Sequence, residues 1–270
     1  MNASAKVTAP GLRKRKQEGR KITMLTAYDA SFARLIDRAG IDCVLVGDSL
    51  GNVIQGRSST VPVTVSDMVY HVAAVRRGLS RALLLADMPF MSYHDRATAM
   101  RTATELMQAG AEMVKLEGGE ELADTVAALV SCGIPVCGHL GLTPQHVHQL
   151  GGYRVQGRGD SPARALMASA ERLVDAGAAM LVVECIPHGL ARQVAEQVAV
   201  PVIGIGAGAD VDGQVLVLHD MLGVTPEPRP RFVHDFLAES GSIENAFRAY
   251  ARAVVEGQFP AEAHRYEDQP

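Results

Sequence analysis

Tryptophan is absent from this 270-residue chain, and six tyrosines and six phenylalanines leave few aromatic platforms on which bases could stack. An excess of basic charge is missing as well. Lysine and arginine total 26 against 30 aspartates and glutamates, a net charge of -4, whereas duplex binding favours a basic stripe. Nucleic acid is therefore not an expected partner. No apolar run approaches the ~18 residues that a spanning helix requires, so no membrane is expected either. The N-terminal segment 1–20 carries Arg13, Lys14, Arg15, Lys16 and Arg20 but no apolar core of a secretory signal; it is expected to be a solvated basic helix start. Cysteine is scarce, with Cys43, Cys132, Cys137 and Cys185 forming no C-x-x-C pair. Each lies in or beside an apolar segment, as buried reduced thiols do, which points to a reducing compartment and a cytoplasmic location.

What is present is a globular balance of 47% hydrophobic and 21% charged residues, in a length that fits one large domain or two small ones. A chain of this size buries about three quarters of its unfolded surface and needs no disulfide or metal staple. Eight short runs read as strands: Ile22 to Thr26, Cys43 to Gly47, Ala82 to Ala86, Met113 to Leu116, Pro135 to Gly138, Met180 to Val183, Pro201 to Ile205 and Val215 to Leu218. They are continuously apolar, as parallel strands buried on both faces must be. Helical patterns separate most of them: Asp29 to Ala39, Ser66 to Arg77, Asp95 to Ala109, Glu120 to Cys132, Pro162 to Ala176 and Leu190 to Val198. Several end in a glycine that relieves a left-handed cap, at Gly40, Gly110, Gly133 and Gly177.

Repeated βα units without a linker imply a single (βα)8 TIM barrel over residues 1–270, an open doubly wound sheet being the structural alternative. Runs seven and eight start 14 residues apart, too close for a normal intervening helix. The segments Ser49 to Val65 and Leu140 to Ser161 are long and polar, as functional loops are. Extra C-terminal helices are expected at Phe232 to Glu239 and Ile243 to Glu256, followed by a flexible polar tail over Ala261 to Pro270.

In such a barrel the chemistry sits at the carboxyl ends of the strands. Those positions hold Asp48, Asp87, Lys115, Glu117, His139 and Glu184. Four carboxylates converging on one mouth repel one another unless a cation neutralises them, and a hard divalent ion such as Mg²⁺ suits oxygen ligands. Any one aspartate after a strand could instead cap the next helix, and Lys115 with Glu117 could be a surface ion pair. Two residues apart on a strand, those two face the same side. The run Gly204 to Ala209 matches G-x-G-x-x-[GA] but leads into another strand, so a crowded turn is expected rather than a dinucleotide site. Asp67, Asp95 and Ser161 read as helix N-caps, and the pair His146 and His148 as loop contacts rather than zinc ligands.

Longer motifs carry a resemblance. Val46-Gly47-Asp48-Ser49-Leu50-Gly51, Thr60 to Thr64, Leu84 to Phe90, Val114 to Gly119, Val136 to Pro144, Gly151 to Gly159, Glu184-Cys185, Ile203 to Gly208 and Gln214 to Asp220 occur in order over about residues 10 to 265. The sequence resembles the ketopantoate hydroxymethyltransferase family. The resemblance implies a (βα)8 barrel, Mg²⁺, assembly as a homodecamer, and transfer of a hydroxymethyl group from 5,10-methylenetetrahydrofolate to 3-methyl-2-oxobutanoate. It implies that Asp48 and Asp87 bind the metal with Glu117 completing its shell, and that Ser49, Asp87 and Lys115 contact the oxo acid. Asp48 and His139 also fall in the expected substrate site, and Glu184 is the implied general base. The chemistry suits these residue types: a 2-oxo acid chelates Mg²⁺, which as a Lewis acid draws the C3 carbanion into an enolate. A related Mg²⁺-dependent enolate enzyme of the isocitrate-lyase or phosphoenolpyruvate-mutase kind would share the carboxylates without using folate, and a non-catalytic barrel would not bind Mg²⁺. The resemblance is weakest at Thr225 to Arg231 and at His188.

Overall fold

The computed structural model describes residues 5–225 and 228–267. Eight parallel strands close into a barrel in chain order: β1 Ile22–Thr26, β2 Cys43–Val46, β3 Leu83–Asp87, β4 Met113–Glu117, β5 Val136–Gly141, β6 Met180–Glu184, β7 Val202–Ile205 and β8 Gly213–Leu216. Closure runs through β8, which pairs with β1 in the register Met24 to Val215. Helices Ala30–Ala39, Val65–Arg76, Arg96–Ala109, Ala123–Ser131, Asp160–Asp175 and His188–Gln197 follow β1 to β6 in turn. Strand residues such as Met24, Val44, Leu84, Val114 and Leu181 are fully buried between barrel interior and helix ring, which is why the strands read as unbroken apolar runs. The barrel replaces the doubly wound alternative.

No helix intervenes between β7 and β8, as their spacing requires. Strand β8 begins two residues before its apolar run. Gly213 and Gln214 have turn-like composition, but Gln214 turns its amide inward and donates to the Gly208 carbonyl at 2.9 Å. The strand ends at Leu216, and Leu218–Met221 form a single helical turn.

Ile243–Val255 is the expected C-terminal helix. Phe232 to Glu239 is not helical. Phe232 and Phe236 are both buried, and their four-residue spacing mimics a helix period. Asp235 instead caps a local turn, accepting from the Leu237 and Ala238 N–H groups. Two N-cap expectations also move. Thr64 caps Val65–Arg76, with Asp67 answering from the third helical position as a capping box. Asp160–Asp175 starts two residues before Pro162, behind Gly159 rather than at Ser161. Asp95 is an N-cap as expected.

The basic N-terminal segment is a helix, Ala9–Gln17, but only Arg13 and Lys14 of its basic run are exposed. Leu12 is buried, Arg15 pairs with Asp42 at 2.6 Å, and Lys16 pairs with Asp212 at 2.8 Å, so the helix plugs the amino-terminal floor of the barrel. Residues 1–4 of that segment lie outside the described residues. The described part of the expected flexible tail is docked: Arg231 Nε donates to the Ala263 carbonyl at 2.9 Å, and Tyr266 forms a β-bridge with Pro187. Residues 268–270 lie outside the description, as do 226 and 227 within the Pro-rich stretch. Cys43, Cys137 and Cys185 are buried free thiols; Cys132 is exposed, because it ends a helix rather than entering the core. Among the described residues no helix is long and apolar enough to cross a membrane.

Candidate active site

The carboxyl ends of the strands surround a cavity of about 780 Å³. Asp48, Ser49, Asp87, Lys115, Glu117, His139 and Glu184 all line it, so the structure brings together every residue expected at the mouth. Asp87, Glu117 and Glu184 are the last residues of β3, β4 and β6, and His139 lies within β5. Asp48 stands in the turn after β2. There Gly47 leaves room for Ser49, whose Oγ a Cβ would meet at 2.8 Å, and for Asp87, whose Oδ2 accepts from the Asp48 N–H at 3.0 Å. The Ser49 hydroxyl lies 2.8 Å from that of Tyr28. The two long loops supply walls, through Asn52 and Thr60 on one side and Tyr153 and Arg154 on the other.

Asp48, Asp87 and Glu117 are buried, and one carboxylate oxygen from each lies within 4.8 Å of the others. Among the described residues no other group of metal-ligating side chains gathers in this way, and His146 bonds Thr143 instead. Lys115 and Glu117 do share a face: Lys115 Nζ is 2.8 Å from Asp87 Oδ1 and 3.4 Å from Glu117 Oε1. The ammonium lies off the hydrogen-bonding direction of Asp87 Oδ1, which stays buried without an aligned donor. His139 connects the halves of the site, with Nδ1 3.1 Å from Glu117 Oε1 and Nε2 3.2 Å from Glu184 Oε2.

Desolvation, then repulsion from Glu117 and Asp87, pushes the Asp48 carboxyl well above the usual carboxylate range. Burial also raises Asp87, although the Lys115 ammonium opposes it. Burial works against Glu117 too, but Lys115, His139 and the Gln145 N–H hold it down to about 2. Burial and Lys115 lower His139, and the carboxylates of Glu117 and Glu184 overcome them to bring it to about 9. With all four carboxylates ionised, the two cations leave two negative charges, which one divalent ion offsets. The donor set is all hard oxygen, and the undirected lone pair on Asp87 is the kind such an ion takes.

Sequence reasoning missed the residues that hold these carboxylates. Gln145 donates its backbone N–H to Glu117 Oε2 at 3.0 Å and its side-chain amide to Asp48 Oδ2 at 2.8 Å. Tyr93 donates to Gln145 Oε1 at 2.5 Å, fixing the amide's orientation. Gln145 directly follows the Val136 to Pro144 motif, so its place in the chain was the available signal. The Gly204 to Ala209 turn is crowded and enters β8 directly, as expected.

A family model described as ketopantoate hydroxymethyltransferase matches residues 6–262. The 3-methyl-2-oxobutanoate hydroxymethyltransferase of Shewanella denitrificans is 57% identical over 260 residues, covering 96% of this chain and 98% of that protein. The protein of that name from Idiomarina loihiensis is 54% identical over 264 residues, covering 98% and 99%. Among solved structures, a phosphonopyruvate hydrolase superposes with a TM-score of 0.62 at 14% identity, covering 80% of this chain and 83% of that one. A 2,3-dimethylmalate lyase of the PEP mutase/isocitrate lyase superfamily gives 0.54 at 18% identity, covering 77% and 80%. These structural likenesses speak to the fold alone.

Proposed function

This chain belongs to the ketopantoate hydroxymethyltransferase family and is a hydroxymethyl-transferring enzyme; we propose that it moves the group from 5,10-methylenetetrahydrofolate to 3-methyl-2-oxobutanoate. Water supplies the hydroxyl oxygen, and the products are 2-dehydropantoate, on the route to pantothenate and coenzyme A, and tetrahydrofolate. The observation that carries this reading is the link from Glu184 through His139 to the acidic triad inside one cavity. It joins a base to an oxo-acid site.

Asp48 and Asp87 would hold Mg²⁺, with Glu117 behind them. When bound, the ion supplies Lewis acidity that lowers the cost of negative charge on the keto oxygen. A phosphonopyruvate hydrolase of this fold has been solved in complex with oxalate and Mg²⁺. Glu184 takes the C3 proton, and the freed electron pair runs toward the C2 carbonyl, making C3 nucleophilic toward the one-carbon unit. His139, cationic at neutral pH, places its charge 3.2 Å from the Glu184 carboxylate. Lys115 is a fixed positive charge beside Asp87, placed to hold the substrate carboxylate or the developing oxyanion, and Ser49 adds a hydroxyl at the same wall. On this reading the enzyme acts in the cytoplasm as a homodecamer.

Proton NMR of 3-methyl-2-oxobutanoate with enzyme and Mg²⁺ in D₂O tests the reading. Loss of the C3–H signal, abolished by EDTA and by Glu184→Gln, is expected. Silence both with and without tetrahydrofolate would overturn the substrate assignment.

A further inference from the structure

Glu184 is the last residue of β6, and the chain leaves the barrel ladder immediately after it. The next residue, Cys185, has φ +46°, a left-handed conformation that a non-glycine residue keeps only where its surroundings over-determine it. Neighbouring backbone supplies part of that constraint. Cys185 N–H donates to Ile205 O at 2.9 Å, and Gln156 N–H donates to Cys185 O at 2.9 Å. The rest comes from Tyr266, about 80 residues further along the chain.

Tyr266, in the docked C-terminal segment, brings its side chain up beside the Cys185 thiol at Gly206. Its ring shares the bare face of Gly206 with Phe232, where a Cβ would lie 2.8 Å from the Phe232 ring, 3.1 Å from the Tyr266 ring and 3.3 Å from Cys185 Sγ. The main chain adds a β-bridge between Pro187 and Tyr266, and the His188 N–H donates to the Tyr266 carbonyl at 3.0 Å. The segment is tied on either side of this contact, at Ala263 by Arg231 and at Glu267 by His188 Nε2, 3.0 Å away. The same ring borders the cavity that holds Glu184.

We propose that the C-terminal segment is a positioning device for Glu184: Tyr266 clamps the turn at Cys185–Pro187 and keeps the carboxylate aimed into the cavity. The inference rests on the reading of Glu184 as the base. A strand-terminal carboxylate followed by an unclamped turn would swing with that turn, and a displacement of about 1 Å at a reacting group costs on the order of 10²-fold in rate. Tyr266 borders the cavity but makes no hydrogen bond or ion pair to Asp48, Asp87, Lys115 or Glu117, so oxo-acid and metal binding at those residues are expected to survive its loss.

The test compares Tyr266→Ala, Tyr266→Phe and Glu184→Gln with the wild-type enzyme. Deuterium exchange at C3 of the oxo acid with Mg²⁺, steady-state kinetics, and oxo-acid Kd by calorimetry are measured on each. Tyr266→Ala is expected to slow exchange and kcat together by on the order of 10²-fold, with KM and Kd unchanged. Tyr266→Phe keeps the ring and the bridge and should recover most of the rate. A purely structural role would lower thermal stability without separating kcat from KM. Exchange by Tyr266→Ala within about twofold of wild type overturns the proposal. Glu184→Gln separates the two failures. If it is silent while Tyr266→Ala exchanges normally, only the clamp fails; if it still exchanges, the base assignment fails and takes the clamp with it. Should Tyr266→Ala not fold, Tyr266→Leu retains bulk and the main-chain bridge and is judged by the same limits.

Discussion

Opposite ends of this barrel both bury carboxylates, yet they handle the charge differently. At the floor, Asp42 Oδ2 meets Arg15 at 2.6 Å and accepts from the Thr23 N–H and hydroxyl, while Oδ1 faces Arg81 at 3.3 Å. Each oxygen has its own cation. At the mouth, Asp48, Asp87, Glu117 and Glu184 share Lys115 and His139, and burial with mutual repulsion pushes Asp48 and Asp87 upward. Burial alone therefore does not mark a functional carboxylate. A charge imbalance left for a ligand to correct does, and it falls on the face where barrels of this kind place their chemistry.

The largest expected effect lies at the mouth. Glu184→Gln keeps the shape of the side chain but removes the base, and should cost about 10²–10⁴-fold in kcat with oxo-acid Kd unchanged. Loss of metal binding in that variant would make Glu184 a ligand and break the division of roles. Lys115→Ala removes a preorganised positive charge and should cost roughly 10²–10³-fold, checked by steady-state kinetics; a change below about threefold removes Lys115 from the mechanism.

A paired substitution tests the comparison directly. Asp42→Ala strands Arg15 and Arg81 at the floor and should destabilise the fold by about 3 kcal/mol in chemical denaturation. Asp48→Asn relieves a crowded charge while Gln145 can still donate to the amide oxygen, so chelator-treated protein should be no less stable, though turnover is lost. Equal destabilisation by both would erase the distinction between floor and mouth.

The pH dependence sharpens it further. His139 rises from an ordinary 6.5 to about 9, because its carboxylate partners outweigh burial and Lys115. A raised group contributes its full stability below the unfolded value and loses it as pH climbs through the folded one. Under EDTA, stability should therefore fall between pH 6.5 and 9, and His139→Gln should flatten that fall. Asp48 and Asp87 act in the same sense above the ordinary carboxylate value of 3.8, and added Mg²⁺ should offset their part. Glu117, held to about 2, has the opposite sign and matters only below its ordinary 4.5. Stability that rises from pH 6.5 to 9 under EDTA would contradict the charge assignment at the mouth.

The barrel and its acidic mouth are legible in the sequence for one physical reason. Parallel strands buried on both faces are apolar throughout, so an ionisable residue at the end of such a run, as at Asp87, Glu117 or Glu184, stands out from its surroundings. Residues that act through a side chain on another unit leave no such mark. Gln145 reaches Asp48 across 97 positions, and Tyr266 meets Cys185 only after the chain has circled the barrel. Local pattern also misleads where burial and helix spacing coincide without helical backbone, as at Phe232 and Phe236. At β8 the inward-turned Gln214 disguises the start of a strand.

The smallest effect separates nearness to the mouth from a share in its chemistry. Thr64 closes the long loop after β2 and caps helix Val65–Arg76, accepting from the Asp67 N–H at 3.2 Å while Asp67 Oδ2 accepts from the Thr64 N–H at 2.9 Å. This box lies on the same end of the barrel as Asp48, but its donors and acceptors satisfy one another and it faces no unbalanced charge. Thr64→Ala should cost about 1 kcal/mol of stability in urea denaturation and leave kcat and KM unchanged. A loss of turnover instead would show that loop 49–65 transmits strain from its cap to Ser49. In that case position in the loop, and not charge balance alone, would decide which mouth residues matter.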